Sequence, residues 1–493
     1  MSVAQALPDL GQPGLSWLNV ERPLTLEGLR GRMVILEFWT ASCINCIHTM
    51  ASLKALEEQF PEELVVIGIH SPKFAAEEDM RVLADTVQRY GIRHPVVQDA
   101  GLGLWTRFNV RSWPTLVYIG PDGTRLGESS GEPDMGGLEA FVREVLDQAR
   151  ADHSLRAQRL AVVDWQQRHG RYLFPSRIKS IPAEPGQPKR WVVVDSGHHQ
   201  VVVVGDDGQE LLRCGDGQPG LVDGPADLCR FFNPQGVCAT ATTLYVADTF
   251  NHAVRSIDLT TREVATLGGT GERSFPITHI TVAQETSLAS VWDLDLLGRS
   301  LILANAGTHQ LLELNLENGL LRPLAGTGAD DLADGPAASA RLAQPTGLAV
   351  DPRGVVYFTD SASSAVRRLV LNNGDPRVET LVGQGLQDFG HANGPLRQAA
   401  LQHPRGIAWL DGRLAVADSF NHRIRLIDLV MGEMTDLERR HSPFRCDEAE
   451  CLPLAEPSGV AFDGPNRLLV CDTGNHRIFE YLLNERRSRT WSM

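Results

Sequence analysis

"LYVADTFNHAVRSIDL" (residues 244–259) returns as "LAVADSFNHRIRLIDL" (414–429) and as "LLVCDTGNHRIFEYLL" (468–483). Each copy is an apolar run ending on Asp, then three residues, a His, and a second run in which apolar and polar residues alternate. That is the pattern of two antiparallel strands joined by a tight turn. Weaker copies stand at 191–205 ("WVVVDSGHHQVVVVG"), 301–316 ("LILANAGTHQLLELNL") and 356–371 ("VYFTDSASSAVRRLVL"). Aligned on the polar residue that ends the first run, the six are Asp195, Asp248, Asn305, Asp360, Asp418 and Asp472, 53 to 58 residues apart. A Pro-x-Gly element precedes most of them, at Pro234–Gly236, Pro345–Gly347, Pro404–Gly406 and Pro457–Gly459. Six units of about four β runs, with no helix to cover them, predict a six-bladed β-propeller over 171–493. Radial closure protects the sheet edges that isolated blades would expose. Because 178–214 and 459–493 each hold a full blade's strands, the ring is expected to close with little or no strand exchange.

Upstream, in a first domain over 1–150, strand and helix signals alternate from 32 to 150. "MVILEFW" (33–39) reads as a buried strand, and "CINCIHTMASLKALEEQF" (43–60) as a helix with Ile47, Met50, Leu53, Leu56 and Phe60 on one side. A strand "LVVIGIH" (64–70), a helix around 76–90 and a short strand "HPVVQD" (94–99) follow. "TLVYIG", "PDG" and "TRLGES" make a hairpin, and "MGGLEAFVREVLDQAR" (135–150) closes the unit as a helix. Alternation of this kind predicts an α/β domain with a central sheet. Residues 151–170 ("ADHSLRAQRLAVVDWQQRHG") have helical composition and are read as a connecting helix. The fold class is therefore multidomain: an α/β domain, a connector, and an all-β propeller.

At 493 residues the chain exceeds one ordinary core. Its net charge of −15 divides into 20 acidic against 13 basic residues in 1–150 (−7), which leaves −8 for 151–493. Neither part has the basic excess that phosphate neutralisation needs, which argues against a nucleic-acid partner. The first twenty residues lack a positive n-region and an apolar core, and no uncharged apolar run approaches the ~20 residues that span a bilayer. The expectation is a cytoplasmic protein without membrane contact, its 8 cysteines mostly reduced.

"FWTASCINCIHTM" (38–50) sets Cys43 and Cys46 three positions apart, where a strand ends and a helix begins. Haem attachment of the c type needs His directly after the second Cys, but Ile47 stands there and His48 comes one place late. A structural zinc needs four ligands, and the other close pair, Cys446 and Cys451 ("CDEAEC"), lies in the propeller. That second pair is expected in an exposed loop without metal, able to close as a disulfide under oxidation. Two packed structural cysteines are the plain alternative for Cys43 and Cys46. A redox pair has physical support: at the helix start Cys43 meets unpaired backbone N–H groups and the positive dipole end, which favour a thiolate nucleophile. Cys46, one turn on, stands close enough to resolve a mixed disulfide.

"FWTASCINC", followed later by "SWPTLVYIGPDG" (112–123), resembles the thioredoxin-like fold, and the extra helix and strand at 76–98 are similar to its peroxiredoxin-related branch. The resemblance implies that Cys43 attacks and Cys46 resolves. It also implies that Glu37 is the buried acid relaying protons to Cys46, that Pro114 is a cis proline facing the disulfide, and that Trp113 contacts the substrate backbone. Trp39, Ile44 and Asn45 join Trp113 as candidate substrate contacts. Ser42 stands where thioredoxins usually carry Trp, a departure from ordinary client handling. The repeats resemble the NHL-repeat family over nearly all of 171–493. Taken together, the chain resembles the NHL-repeat-containing thioredoxin-like proteins over essentially its full length.

Four residues after each aligned Asp or Asn stand His199, His252, His309, Ser364, His422 and His476. These turns lie partway out along the blades, too far apart to share an ion, so they are read as structural, tying down each hairpin turn. The inner strands offer Asp293, Asp295 and Asp351 but no repeated His, which leaves a propeller-based metal-dependent hydrolase or lyase as a minor reading. Long connections at 215–236, 326–347 and 383–406 share a Gly-x-Gly start, a Gly-Pro pair and a Pro-x-Gly end. Their face is the expected place for a protein client or for the redox domain to dock. The leading reading is a thiol–disulfide oxidoreductase with a C-I-N-C site, acting on a protein client that carries a thiol or disulfide, with the propeller as its platform. It calls for no cofactor and no resident metal. The rival is a non-catalytic interaction scaffold, and the oligomeric state stays open.

Overall fold

The computed structural model describes residues 7–12, 14–163, 169–183, 186–371, 374–438, 444–447 and 452–491. The chain divides into two compact units, Met1–Arg168 and His169–Met493.

The first unit runs β1 (Ser16–Leu18), β2 (Met33–Trp39), α1 (Ile44–Gln59), β3 (Leu64–His70), α2 (Met80–Arg89), β4 (Val96–Gln98), α3 (Gly103–Arg107), β5 (Thr115–Ile119), β6 (Arg125–Ser130) and α4 (Met135–Ala151). These strands form one sheet in the order β1-β4-β3-β2-β5-β6. β2 pairs in parallel with β3, and β3 with β4, while β5 and β6 are antiparallel additions. Every residue of β2 is buried, because both faces of this central strand are covered. Val34, Leu36 and Phe38 pack on one side with Ile67, Leu104 and Phe108. Met33 and Ile35 pack on the other with Leu53 and Leu56 of α1 and Val142 of α4. That second face also carries Glu37 and Trp39, directly beneath the start of α1. The extra helix and strand expected at 76–98 are α2 and β4. The short β1, antiparallel to β4, has too few residues to leave a periodic signal.

The predicted connecting helix at 151–170 is not formed over its described part. α4 ends at Ala151, and 154–163 run as an extended strap without helix. Arg156 N–H donates to Gly31 O (2.7 Å), Gln158 N–H to Glu62 O (3.0 Å) and Val163 N–H to Asn19 O (3.0 Å). Backbone donors spent on these tertiary partners are lost to the i→i−4 ladder, so packing overrides helical composition.

The second unit is a propeller of six sheets. The first blade comprises Pro175–Ile181, Arg190–Asp195, Gln200–Gly205 and Glu210–Cys214, in order from the inside. The sixth comprises Gly459–Asp463, Arg467–Asp472, Arg477–Leu482 and Arg487–Thr490. Each blade draws its four main strands from one continuous stretch, so the ring closes without strand exchange. The Gly-Pro pairs of the long connections are short fifth strands on the outer edges: Gly224–Pro225, Gly335–Pro336 and Gly394–Pro395. Proline suits an outer edge because it presents no N–H to a further strand. In the connection before the sixth blade Cys446 is disulfide-bonded, whereas Cys451 lies outside the described residues.

Candidate functional site

β2 ends at Trp39, and the turn Thr40–Ser42 delivers Cys43 as the N-cap of α1, with φ −98° and ψ 116°. Its carbonyl accepts from the backbone N–H of Cys46 (3.1 Å) and Ile47 (3.2 Å), which winds the first turn and sets the two sulfurs on the same side. Cys43 is half-buried and Cys46 is fully buried, both as thiols. Burial, then the hydrogen bond that its S–H donates to Cys43, pushes the Cys46 thiol well above the ordinary range. The pair is thus asymmetric: a half-buried cysteine at the positive end of a 16-residue helix, and a sealed one held as the thiol.

Glu37 lies in the interior, fully buried, and among the described residues neither of its carboxylate oxygens has a hydrogen-bond partner. Burial, then the charges of Glu57 and Cys43, raises its pKa well above the usual carboxylate range. Its charge in turn acts on Cys46, so the acid and the buried thiol share one electrostatic environment. The Trp113–Pro114 peptide bond is cis. Half-buried Trp113 packs with Cys43 against the apolar cluster that holds Cys46, and its ring lies 4.6 Å from that of Trp105. Glu37, Cys43, Cys46 and Trp113, with Pro114 next to it in the chain, therefore belong to one region.

Two of the substrate contacts expected from sequence are corrected. Trp39 is 0% exposed, its ring 4.6 Å from that of His70, and Ile44 is 1% exposed. Neither offers surface to a client; both pack. Asn45 keeps partial exposure beside Cys43, with its carbonyl accepting from Thr49 Oγ1 at 2.8 Å.

Sequence reasoning missed Glu77, which is fully buried in a short helical turn before α2. Its carboxylate accepts from Thr40 Oγ1 (2.7 Å), Ser42 N–H (3.0 Å), Lys73 N–H (2.8 Å) and Phe74 N–H (2.9 Å). The turn that presents Cys43 is therefore lashed to the 73–77 segment through one side chain, and Ser42 is a part of that lashing. In "FAAEEDM" nothing separates Glu77 from its solvated neighbour Glu78.

The propeller residues resolve differently. Each register histidine accepts a backbone N–H from the next blade: His199 Nδ1 from Asn233 (3.1 Å), His252 from Ser290 (3.0 Å), His309 from Gln344 (3.0 Å), His422 from Glu456 (3.0 Å). Ser364 Oγ does the same for His403 at 3.2 Å. These side chains are structural, as expected, but they join blades rather than closing their own turns. The acids offered for a channel metal are engaged by cations. Asp293 lies 3.2 Å from Arg177, Asp295 lies 3.7 Å from Lys179, and Asp351 holds Arg353 at 2.8 Å. Arg177 also donates across the channel to Ser458 O and Thr346 O, both at 2.9 Å. Among the described residues no group of three or more His, Cys, Asp or Glu is placed to hold an ion.

Family comparisons agree with this division. Residues 31–124 match a "Thioredoxin-like" family model and 454–481 an "NHL repeat" model. The chain is 34% identical to NHL repeat-containing protein 2 of Bos taurus over 504 aligned positions, covering 94% of this chain and 68% of that protein. It belongs to the NHL repeat-containing protein 2 family. A second relative, protein SUPPRESSOR OF QUENCHING 1, chloroplastic, of Arabidopsis thaliana, is 31% identical across 96% of this chain and 46% of its own length. Over 148 aligned positions the chain is 26% identical to the thiol-disulfide oxidoreductase YkuV of Bacillus subtilis, covering 30% of this chain and 97% of that protein. The family's N-terminal unit is thus of a kind that includes thiol–disulfide oxidoreductases, which supports a redox role in general terms.

Proposed function

We propose that the chain is a thiol–disulfide oxidoreductase that uses Cys43 and Cys46 on a protein client, with the propeller as client platform. The observation that carries this is the asymmetry of the pair: Cys43 half-buried at the mouth of α1, Cys46 sealed one turn inside and within the electrostatic reach of Glu37. The Cys43 thiolate attacks one sulfur of the client disulfide, forms a mixed disulfide and releases the other client sulfur as a thiolate. Cys46 yields its proton, and its thiolate attacks Cys43 Sγ. The Cys43–Cys46 disulfide forms, the second client sulfur leaves, and both client thiolates take up protons. Two electrons pass from the dithiol to the client, and a dithiol reductant from a reducing compartment such as the cytoplasm restores the pair.

The test is trapping with the full-length chain. Cys46→Ser should accumulate mixed disulfides on Cys43, and Cys43→Ser should accumulate none and lose disulfide reductase activity. Iodoacetamide should modify Cys43 much faster than Cys46, since burial withholds both access and thiolate from the latter. Equal, slow alkylation of both cysteines together with a fully active Cys43→Ser variant would establish the scaffold reading instead.

A further inference from the structure

A proton that passes from Cys46 to Glu37 has not yet reached water, because Glu37 is sealed. What surrounds it is polar in a way that packing alone does not require. Trp39 Nε1 and His94 Nε2 are buried without a hydrogen-bond partner among the described residues, like both oxygens of Glu37. Glu37 of β2 stands opposite Gly68 of β3 in the strand register. A Cβ placed on Gly68 would lie 2.8 Å from Trp39 Nε1 and 3.3 Å from His94 Nε2. The glycine therefore leaves a notch in the sheet face beside Glu37, walled by Trp39 Nε1, His94 Nε2 and, at 3.3 Å, the Val96 Cγ2 methyl. Buried polar atoms in such a place are ordinarily satisfied by ordered water.

The far side of His94 leads outward. Its Nδ1 lies 3.2 Å from Glu57 Oε2, with the His94 side chain 3% exposed and that of Glu57 25%. A carboxylate at Nδ1 holds the imidazole proton there, which turns the Nε2 lone pair toward the notch. Glu57 and His94 both line a cleft of about 340 Å³ whose other charged walls are Lys54, Glu58, Arg93 and Arg159. On the inner side, the charged or titratable groups around Glu37 are Cys43, Cys46 and Glu57, and His70 packs against Trp39. Glu57 is the charged neighbour that raises the Glu37 pKa most.

We propose that the Gly68 notch seats bridging water between Glu37 and His94, and that His94 and Glu57 form the exit path by which the proton given up by Cys46 reaches the surface cleft. The inference rests on the redox reading of the pair. One proton moves per resolution step, from Cys46 Sγ to Glu37, through the notch to His94 Nε2, and from Nδ1 by way of Glu57 to solvent. No electrons travel this way, and the sulfur chemistry stays between Cys46, Cys43 and the client.

The test separates attack from resolution in single turnovers of the full-length chain against a small disulfide such as oxidised glutathione, with the mixed disulfide as the observed intermediate. Glu57→Gln and His94→Gln should leave Cys43 alkylation and mixed-disulfide formation unchanged. Both should slow resolution roughly 10-fold or more, move its pH profile and enlarge its solvent isotope effect. His94→Ala opens the notch to the cleft, and added imidazole should restore part of the rate. Gly68→Ala, whose Cβ occupies the notch, should act in the same direction. Glu57 is partly exposed, so its variant folds even where Gly68→Ala does not. Wild-type resolution rate and pH profile in Glu57→Gln and His94→Gln, with mixed-disulfide formation intact, would overturn the path alone. Failure of the wild-type chain to form any mixed disulfide at Cys43 would overturn the redox reading and the path with it.

Discussion

The backbone N–H of Phe174, just before the first blade, donates to Nδ1 of His476 in the sixth, 3.1 Å away and 302 residues apart in sequence. This bond is the ring-closing member of the series that joins each blade to the next. In a propeller the last junction turns a stack of sheets into a closed ring, so its loss exposes two edges at once.

His476→Ala should therefore lower the stability of the full chain by about 1–3 kcal/mol, the usual cost of stranding a buried N–H group. His476→Ser should cost less, because Ser364 already performs the same task between the fourth and fifth blades. Urea denaturation followed by tryptophan fluorescence measures both. Equal midpoints for the wild type and His476→Ala would show that the junction carries no stability.

Acceptance at Nδ1 also requires a neutral imidazole. Burial lowers the His199 pKa from 6.5 to about 4. Between those values the unfolded chain binds a proton that the folded chain refuses. This contribution is fully present above pH 6.5 and is lost as pH falls toward 4. Thermal unfolding across that range should show the decline, and His199→Ser should flatten its share of it.

In the fourth blade the guanidinium of Arg367 and the carboxylate of Asp360, both fully buried, meet at 2.8 Å. Arg367 also donates to Arg341 O (2.7 Å), Ala333 O (2.9 Å) and Asp334 Oδ1 (2.9 Å), pinning the connection at 326–347. Arg255 and Arg425 repeat the clamp on the two sister connections. Removing one partner leaves an uncompensated buried charge, so Arg367→Leu should cost about 3–5 kcal/mol. Arg367→Leu with Asp360→Leu should cost less than the sum of the single changes. Limited proteolysis should place new cleavage in 326–347 in the single variant.

Glu37 should trade stability for chemistry. A carboxyl whose folded pKa is raised stays protonated after the unfolded chain ionises, so its contribution falls as pH rises above 4.5. Glu37→Gln removes that loss. The variant should be more stable than the wild type at neutral pH by urea denaturation, with the gap closing below pH 4.5. It should slow the resolution step and leave Cys43 alkylation nearly intact. Lower stability at neutral pH would mean that the carboxyl is held by partners that the neutral amide cannot replace.

Much of the fold and half of the site were legible because they are written in local chemistry. The Asp-x-x-x-His repeat at 53–58 residue spacing counts blades, since each copy builds its own hairpin. "MVILEFW" next to "CINC" places a strand end against a helix start, and with it Cys43 at the helix mouth, whereas the buried acid at Glu37 followed from family resemblance. The cis Trp113–Pro114 bond followed from family resemblance, not from spacing. Trp39 and Ile44 were misjudged because adjacency to Cys43 in sequence says nothing of whether the sheet and helix above leave them a surface. The strap at 154–163 was misjudged because helical propensity is a weak prior once tertiary acceptors claim the backbone donors.

By itself the sequence determined two kinds of unit, the number of blades, and which cysteine stands at a helix mouth. These depend on periodicity and on contacts a few residues apart. Only the tertiary structure decided that His199 serves the blade after its own and that Arg177 bridges the propeller channel. It alone brought Glu77 to the Cys43 turn 35 residues away and set Gly68, Trp39 and His94 around Glu37. In every such case the partner of a polar group is chosen by the packing of distant segments, and a buried donor or acceptor leaves no local pattern to say which segment that is.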